Sequence, residues 1–121
     1  MNGMVSEGTG ENIFRLKRGV LSTPPASAGV LRGVTRDTIV HLAADMGIEC
    51  MRIEISRKEL YTSDELFLCG TSAGITPIRE VDGRKVGDGS WPITRRLQGI
   101  LEEWCMAERK KYRRWLDYIP P

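Results

Sequence analysis

Short runs with period-two hydrophobic alternation are interleaved with runs of helical period along this chain, and that interleaving restricts the fold more than any other feature. Ile13-Phe14-Arg15-Leu16-Lys17 and Val20-Leu21-Ser22-Thr23 predict two strands joined at Arg18-Gly19. Pro24-Pro25 ends the pair, because proline has no N–H to give to a ladder. From Gly33 to Gly47 the period changes: Ile39, Leu42, Ala43 and Met46 recur at helical spacing. Thr35 is a candidate N-cap, Asp37 falls in the first turn where the dipole favours it, and Gly47 closes the helix. Met51, Ile53 and Ile55 then alternate with Arg52 and Glu54 as a half-buried strand. A helical turn capped by Ser56 follows, then strands over Glu65–Cys69 and Ile75–Val81, with Asp82-Gly83 as a type I′ hairpin signal before Lys85-Val86. Pro92 opens a last helix with Ile93, Leu97, Ile100, Leu101 and Trp104 on one face. The sum is an α/β (α+β) fold, helices packed on a mixed sheet.

Composition narrows the function classes. A chain of 121 residues is one domain's worth, and 40% hydrophobic with 28% charged residues excludes collagen-like, coiled-coil and disordered classes. No apolar run approaches the ~20 residues that span a bilayer, so no membrane partner is expected. Met1 to Gly8 has neither a basic nor an apolar signal region. Cys50, Cys69 and Cys105 are odd in number and widely spaced, which fits free thiols in a reducing compartment; the expected location is cytoplasmic. His41 is the single histidine, so neither a zinc site nor a Ser–His or Cys–His catalytic pair is expected, and it reads as a surface or core residue of its helix.

Two bends have the chemistry of anion sites. Gly33-Val34-Thr35 ends at a helix N-terminus, where unpaired N–H groups, the positive dipole end and a hydroxyl meet. Gly70-Thr71-Ser72-Ala73 follows a strand, and its small side chains let backbone amides approach a ligand. Singly, the first is usually an N-cap, the second a tight connection, and Glu7 a solvated carboxylate. Their occurrence together and in this order changes that.

The stretches Val5-Ser6-Glu7-Gly8-Thr9-Gly10-Glu11-Asn12-Ile13-Phe14, Leu31-Arg32-Gly33-Val34-Thr35-Arg36-Asp37-Thr38 and Gly70-Thr71-Ser72-Ala73-Gly74-Ile75-Thr76-Pro77, with Trp115-Leu116-Asp117-Tyr118, resemble the class IV (fold-type IV) pyridoxal-phosphate aminotransferases. The Gly-Glu-Asn-Ile-Phe run and the Trp-Leu-Asp-Tyr tail look most like the branched-chain amino-acid aminotransferases. D-amino-acid aminotransferases and aminodeoxychorismate lyases share the scaffold and stand as alternatives. The resemblance implies pyridoxal 5′-phosphate as cofactor, with Glu7 against the pyridine nitrogen and Leu31 on the ring face. It implies that Val34, Thr35 and Thr71 hold the phosphate while the amides of Ser72 and Ala73 face the substrate carboxylate. Substrates would be leucine, isoleucine or valine and 2-oxoglutarate, in an enzyme that forms homo-oligomers.

By the same resemblance residues 1–121 are a partial C-terminal domain of the fold. The family's Schiff-base lysine lies upstream of the glutamate motif and has no counterpart here, nor has the smaller N-terminal domain, so the chain alone is expected to be inactive. Lys17, Lys58, Lys85, Lys110 and Lys111 fall in other contexts, and Gly74 stands where the family commonly has glutamate. The remaining alternative is a non-catalytic anion- or nucleic-acid-binding module using Arg109-Lys110-Lys111-Tyr112-Arg113-Arg114. One short run lacks an extended footprint, so a solvated helix end is the expectation and no nucleic-acid partner is foreseen.

Overall fold

A computed structural model describes residues 11–25, 34–70 and 74–117, and the side chains of all of these but 11, 34 and 112–117. Strand β1 (Glu11–Lys17) turns at Arg18-Gly19 into β2 (Val20–Thr23); both turn residues have positive φ, 50° and 78°. Helix α1 (Val34–Asp45) leads through Gly47 into β3 (Glu49–Arg52). A capping box then starts α2 (Arg57–Tyr61): the Glu59 N–H donates to the Ser56 hydroxyl while the Glu59 carboxylate accepts from the Ser56 N–H. Strands β4 (Glu65–Gly70) and β5 (Gly74–Pro77), the small hairpin β6 (Glu80–Val81) and β7 (Arg84–Lys85), and helix α3 (Pro92–Asp117) complete the order.

The sheet is mixed, in the order β3-β2-β1-β4-β5. Only β2 and β3 run parallel, because α1 crosses between them; the other pairs are antiparallel. Phe14, Leu16, Leu21, Phe67, Cys69 and Ile75 share one face and are covered by Ile39, Leu42 and Ala43 of α1 and by Leu97 and Leu101 of α3. Phe14 and Phe67 are cross-strand partners, with centroids 5.0 Å apart and planes 11° off parallel. On the opposite face Ile13 and Leu66 pack with Ile55, Leu60 and Val86 in a smaller cluster.

The observed elements depart from the sequence pattern in four places. Helix α1 begins at Val34, so Thr35 is inside the first turn rather than at the N-cap. Strand β3 starts and ends early: Met51 and Ile53 are exposed, and Ile55 is buried off the sheet, in the second cluster. The run from Ile75 to Val81 is two strands, interrupted at Ile78-Arg79 just after Pro77. Trp104 is 41% exposed although its neighbours Leu97 and Leu101 are buried, and with His41 and Leu42 it borders an open depression of about 300 Å3.

Candidate functional site

The strand registers bring four separated segments to one end of the sheet. Glu11 pairs with Gly70, and Gly70 with Gly74, so the start of β1 and both flanks of residues 71–73 are neighbours. Thr23, the last residue of β2, sits at the same end with Arg52 as its parallel partner on β3. Helix α1 runs back over the sheet, which returns its first turn to that end: the Asp37 carboxylate lies 3.8 Å from the Arg52 guanidinium.

Of the residues expected to form a site, Val34 is the first residue of α1 and Thr35, half-buried, is the second. Glu7, Leu31, Thr71, Ser72 and Ala73 lie outside the described residues. Gly74, which follows residues 71–73, has φ 64°, a conformation that glycine adopts without penalty.

This end of the sheet holds buried polar side chains. Thr23 is fully buried and its hydroxyl donates to the Ile13 carbonyl at 2.8 Å, while Asn12 and Cys69 are buried cross-strand partners. Arg36, the third residue of α1, is 1% exposed. Cys50 on β3 senses this neighbourhood: burial raises its thiol pKa, and the charges of Arg52 and Arg36 pull it back down. Arg36 is the component that composition and spacing do not mark; its signal in the sequence is a cation in a helix's first turn, where the dipole disfavours one. Among the described residues no three His, Cys, Asp or Glu side chains stand together as metal ligands, and no helix is long and apolar enough to cross a membrane. This end of the sheet therefore offers helix-start amides, a hydroxyl and fixed positive charge, a donor set suited to a phosphate ester.

The five lysines are spread over β1, α2, β7 and α3. Lys17 ends β1, about 20 Å from Glu11 at the rise of an extended strand. Its ammonium donates to the Thr62 carbonyl at 2.7 Å. Lys58 is on α2, Lys85 on β7, and Lys110 and Lys111 on the distal part of α3. That distal part is solvated: Arg109, Lys110 and Lys111 are exposed, and Lys111 lies 3.5 Å from Glu108.

A family profile described as amino-transferase class IV matches residues 1–81. The branched-chain-amino-acid aminotransferase of Escherichia coli K12 is 46% identical over 120 residues, 98% of this chain; the chain spans 39% of that enzyme's length. Among solved structures, the branched-chain aminotransferase of Thermoproteus uzoniensis with norvaline superposes with a TM-score of 0.79 at 46% identity, covering 93% of this chain and 37% of that one. The T.th. branched-chain amino acid aminotransferase complexed with N-(5′-phosphopyridoxyl)-L-glutamate gives 0.82 at 37% identity, covering 93% and 38%.

Proposed function

This chain belongs to the class IV aminotransferase family, and on that premise we propose that its 121 residues form the phosphate-holding part of the pyridoxal 5′-phosphate site of a branched-chain amino-acid aminotransferase. The intact enzyme would exchange the amino group of leucine, isoleucine or valine with 2-oxoglutarate. The observation that carries the reading is the register: Glu11, the first turn of α1 and the paired Gly70 and Gly74 meet at one end of one sheet. Names of similar enzymes support the substrate class, and the free cysteines support a cytoplasmic setting.

In this reading the amides of Val34 and Thr35 and the Thr35 hydroxyl bind the phosphate, helped by the positive end of α1. Thr71 adds a second hydroxyl, Leu31 covers the ring face, and the amides of Ser72 and Ala73 orient the substrate carboxylate. Glu7 keeps a proton on the pyridine nitrogen. The bound cofactor supplies an electron sink for the pair released when the substrate Cα–H bond breaks. In this reading turnover needs a lysine that bonds to the cofactor and carries the proton, and Lys17, the lysine of β1, lies about 20 Å along that strand from Glu11 and donates to the Thr62 carbonyl instead.

Equilibrium dialysis with pyridoxal 5′-phosphate tests the reading. Saturable, millimolar binding that is weakened in Thr35→Val is expected, with no stoichiometric borohydride-trapped adduct at any one lysine. Absence of saturable binding refutes the phosphate site; a single trapped lysine refutes the assignment of inactivity.

A further inference from the structure

Helix α3 is longer than the core it serves. Its 26 residues extend about 39 Å at the rise of an α-helix. Leu97 and Leu101 are buried in the larger cluster, with Ile93, Ile100 and Cys105 packed against it, and beyond Cys105 no described side chain enters either cluster. The stretch from 106 to 117 makes about three turns, a length that is marginal in water unless something packs on it.

The side of α3 turned away from the sheet has a pattern of its own. Gly99, Glu103, Met106 and Lys110 recur there at helical spacing, and all four are exposed. Met106, at 57%, is the most exposed large apolar side chain of the described residues. A Cβ at Gly99 would meet nothing within 4 Å, so no contact inside the chain calls for a glycine in this helix; what a glycine permits is close approach of another backbone. Charge is segregated about Met106: Glu102 and Glu103 precede it, and Arg109, Lys110 and Lys111 follow, all exposed.

That arrangement is self-complementary. In an antiparallel pair of α3 helices with the two-fold axis between Met106 and Ala107, Glu103 of each copy falls opposite Lys110 of the other, and Glu102 opposite Lys111. Met106 then meets the small Ala107. A parallel pair would set acid against acid and base against base. The other exposed apolar residues have no such pattern: Met51 and Ile53 lie on and just after the edge strand β3, and Trp104 faces His41 and Leu42 of α1.

We propose that the outer side of α3 docks, antiparallel and about Met106, on the same side of a second copy of this chain. The contact is isologous, each copy giving the same patch. Two helix faces bury less than the about 1,200 Å2 at which stable complexes begin, so the association is weak, concentration-dependent and screened by salt. It is independent of the cofactor reading.

Sedimentation velocity of the 121-residue chain from micromolar to millimolar concentration tests it. A monomer–dimer equilibrium that weakens as salt is raised is expected. Glu103→Lys and Lys110→Glu should each weaken self-association about thirtyfold, because two symmetry-related pairs turn from attraction to repulsion. An equimolar mixture of these two variants recovers the dimer, since only the mixed pair sets opposite charges at both positions. Gly99→Leu should weaken it as well, with helix content by circular dichroism unchanged. A chain that stays monomeric at every concentration overturns the inference, as does a dimer that both charge variants retain. A mixture that fails to recover the dimer overturns the antiparallel register and the proposal with it.

Discussion

Helix α3 is held at its start by a buried carboxylate from another element, and replacing that carboxylate measures the attachment. Glu65 opens β4 and is 4% exposed. Its two oxygens accept from the Ile93 N–H at 3.2 Å and the Thr94 N–H at 2.8 Å, two of the amides that a helix start leaves without a partner. In Glu65→Gln one oxygen remains, and the amide NH2 must face the second N–H. An unsatisfied buried donor costs about 1–3 kcal/mol, and loss of a charge at a buried helix N-terminus about 1–2 kcal/mol. The sum is about 3 kcal/mol, which at roughly 4 °C per kcal/mol for a domain of this size lowers the Tm by about 10 °C. Thermal unfolding at neutral pH by circular dichroism checks it, with Ser56→Ala as a reference for a half-buried cap worth about 1 kcal/mol. A Glu65→Gln midpoint no lower than that reference refutes the idea that the carboxylate anchors α3.

Two further outcomes follow from local geometry. Gly87 has φ 69°, and a Cβ there would strike the carbonyl oxygen of Asp64. Gly87→Ala therefore combines backbone strain with overpacking against a backbone atom, a loss of about 2–3 kcal/mol in a urea titration; an unchanged midpoint would show that the loop yields. The Glu59 carboxyl is held below its usual value of 4.5, first by the Ser56 N–H and hydroxyl and last by Arg15. A depressed folded-state pKa adds stability that is present above 4.5 and lost as pH falls through the folded value. Glu59→Gln should flatten the stability profile on acidification below about pH 4.5, by a small amount because the group is largely exposed; an unaltered acid slope refutes the contribution.

Local chemistry was legible in the sequence where a residue's own conformational preference decides the outcome. Gly19 and Asp82-Gly83 take the positive φ that their residue types favour, Ser56 caps its helix, and Pro92 begins α3. Tertiary context decided the rest. Ile55 has the alternation of a strand residue, yet the second cluster draws it away from the sheet with Leu60 and Val86. Trp104 has the spacing of a core residue, yet it stays 41% exposed at the rim of the depression beside His41 and Leu42. The candidate site was legible as three motifs in order and not as a place, because bringing β1's start beside Gly70 depends on registers such as Glu11 with Gly70 that no local pattern encodes. Arg36 was invisible for a related reason: burial of an arginine is a property of what closes over it.

The pairing of β1 with β4 has a consequence for assembly. Asn12 and Cys69 are 57 positions apart, and the whole β2–α1–β3 crossover is enclosed by that one ladder. A growing chain must release most of its length before the ladder closes, and loop entropy opposes closure until it does. A shortened product ending before β4 would retain a hairpin and a helix but no place where an anion meets a bend. Any affinity for the cofactor should therefore emerge all at once, as a late event in synthesis.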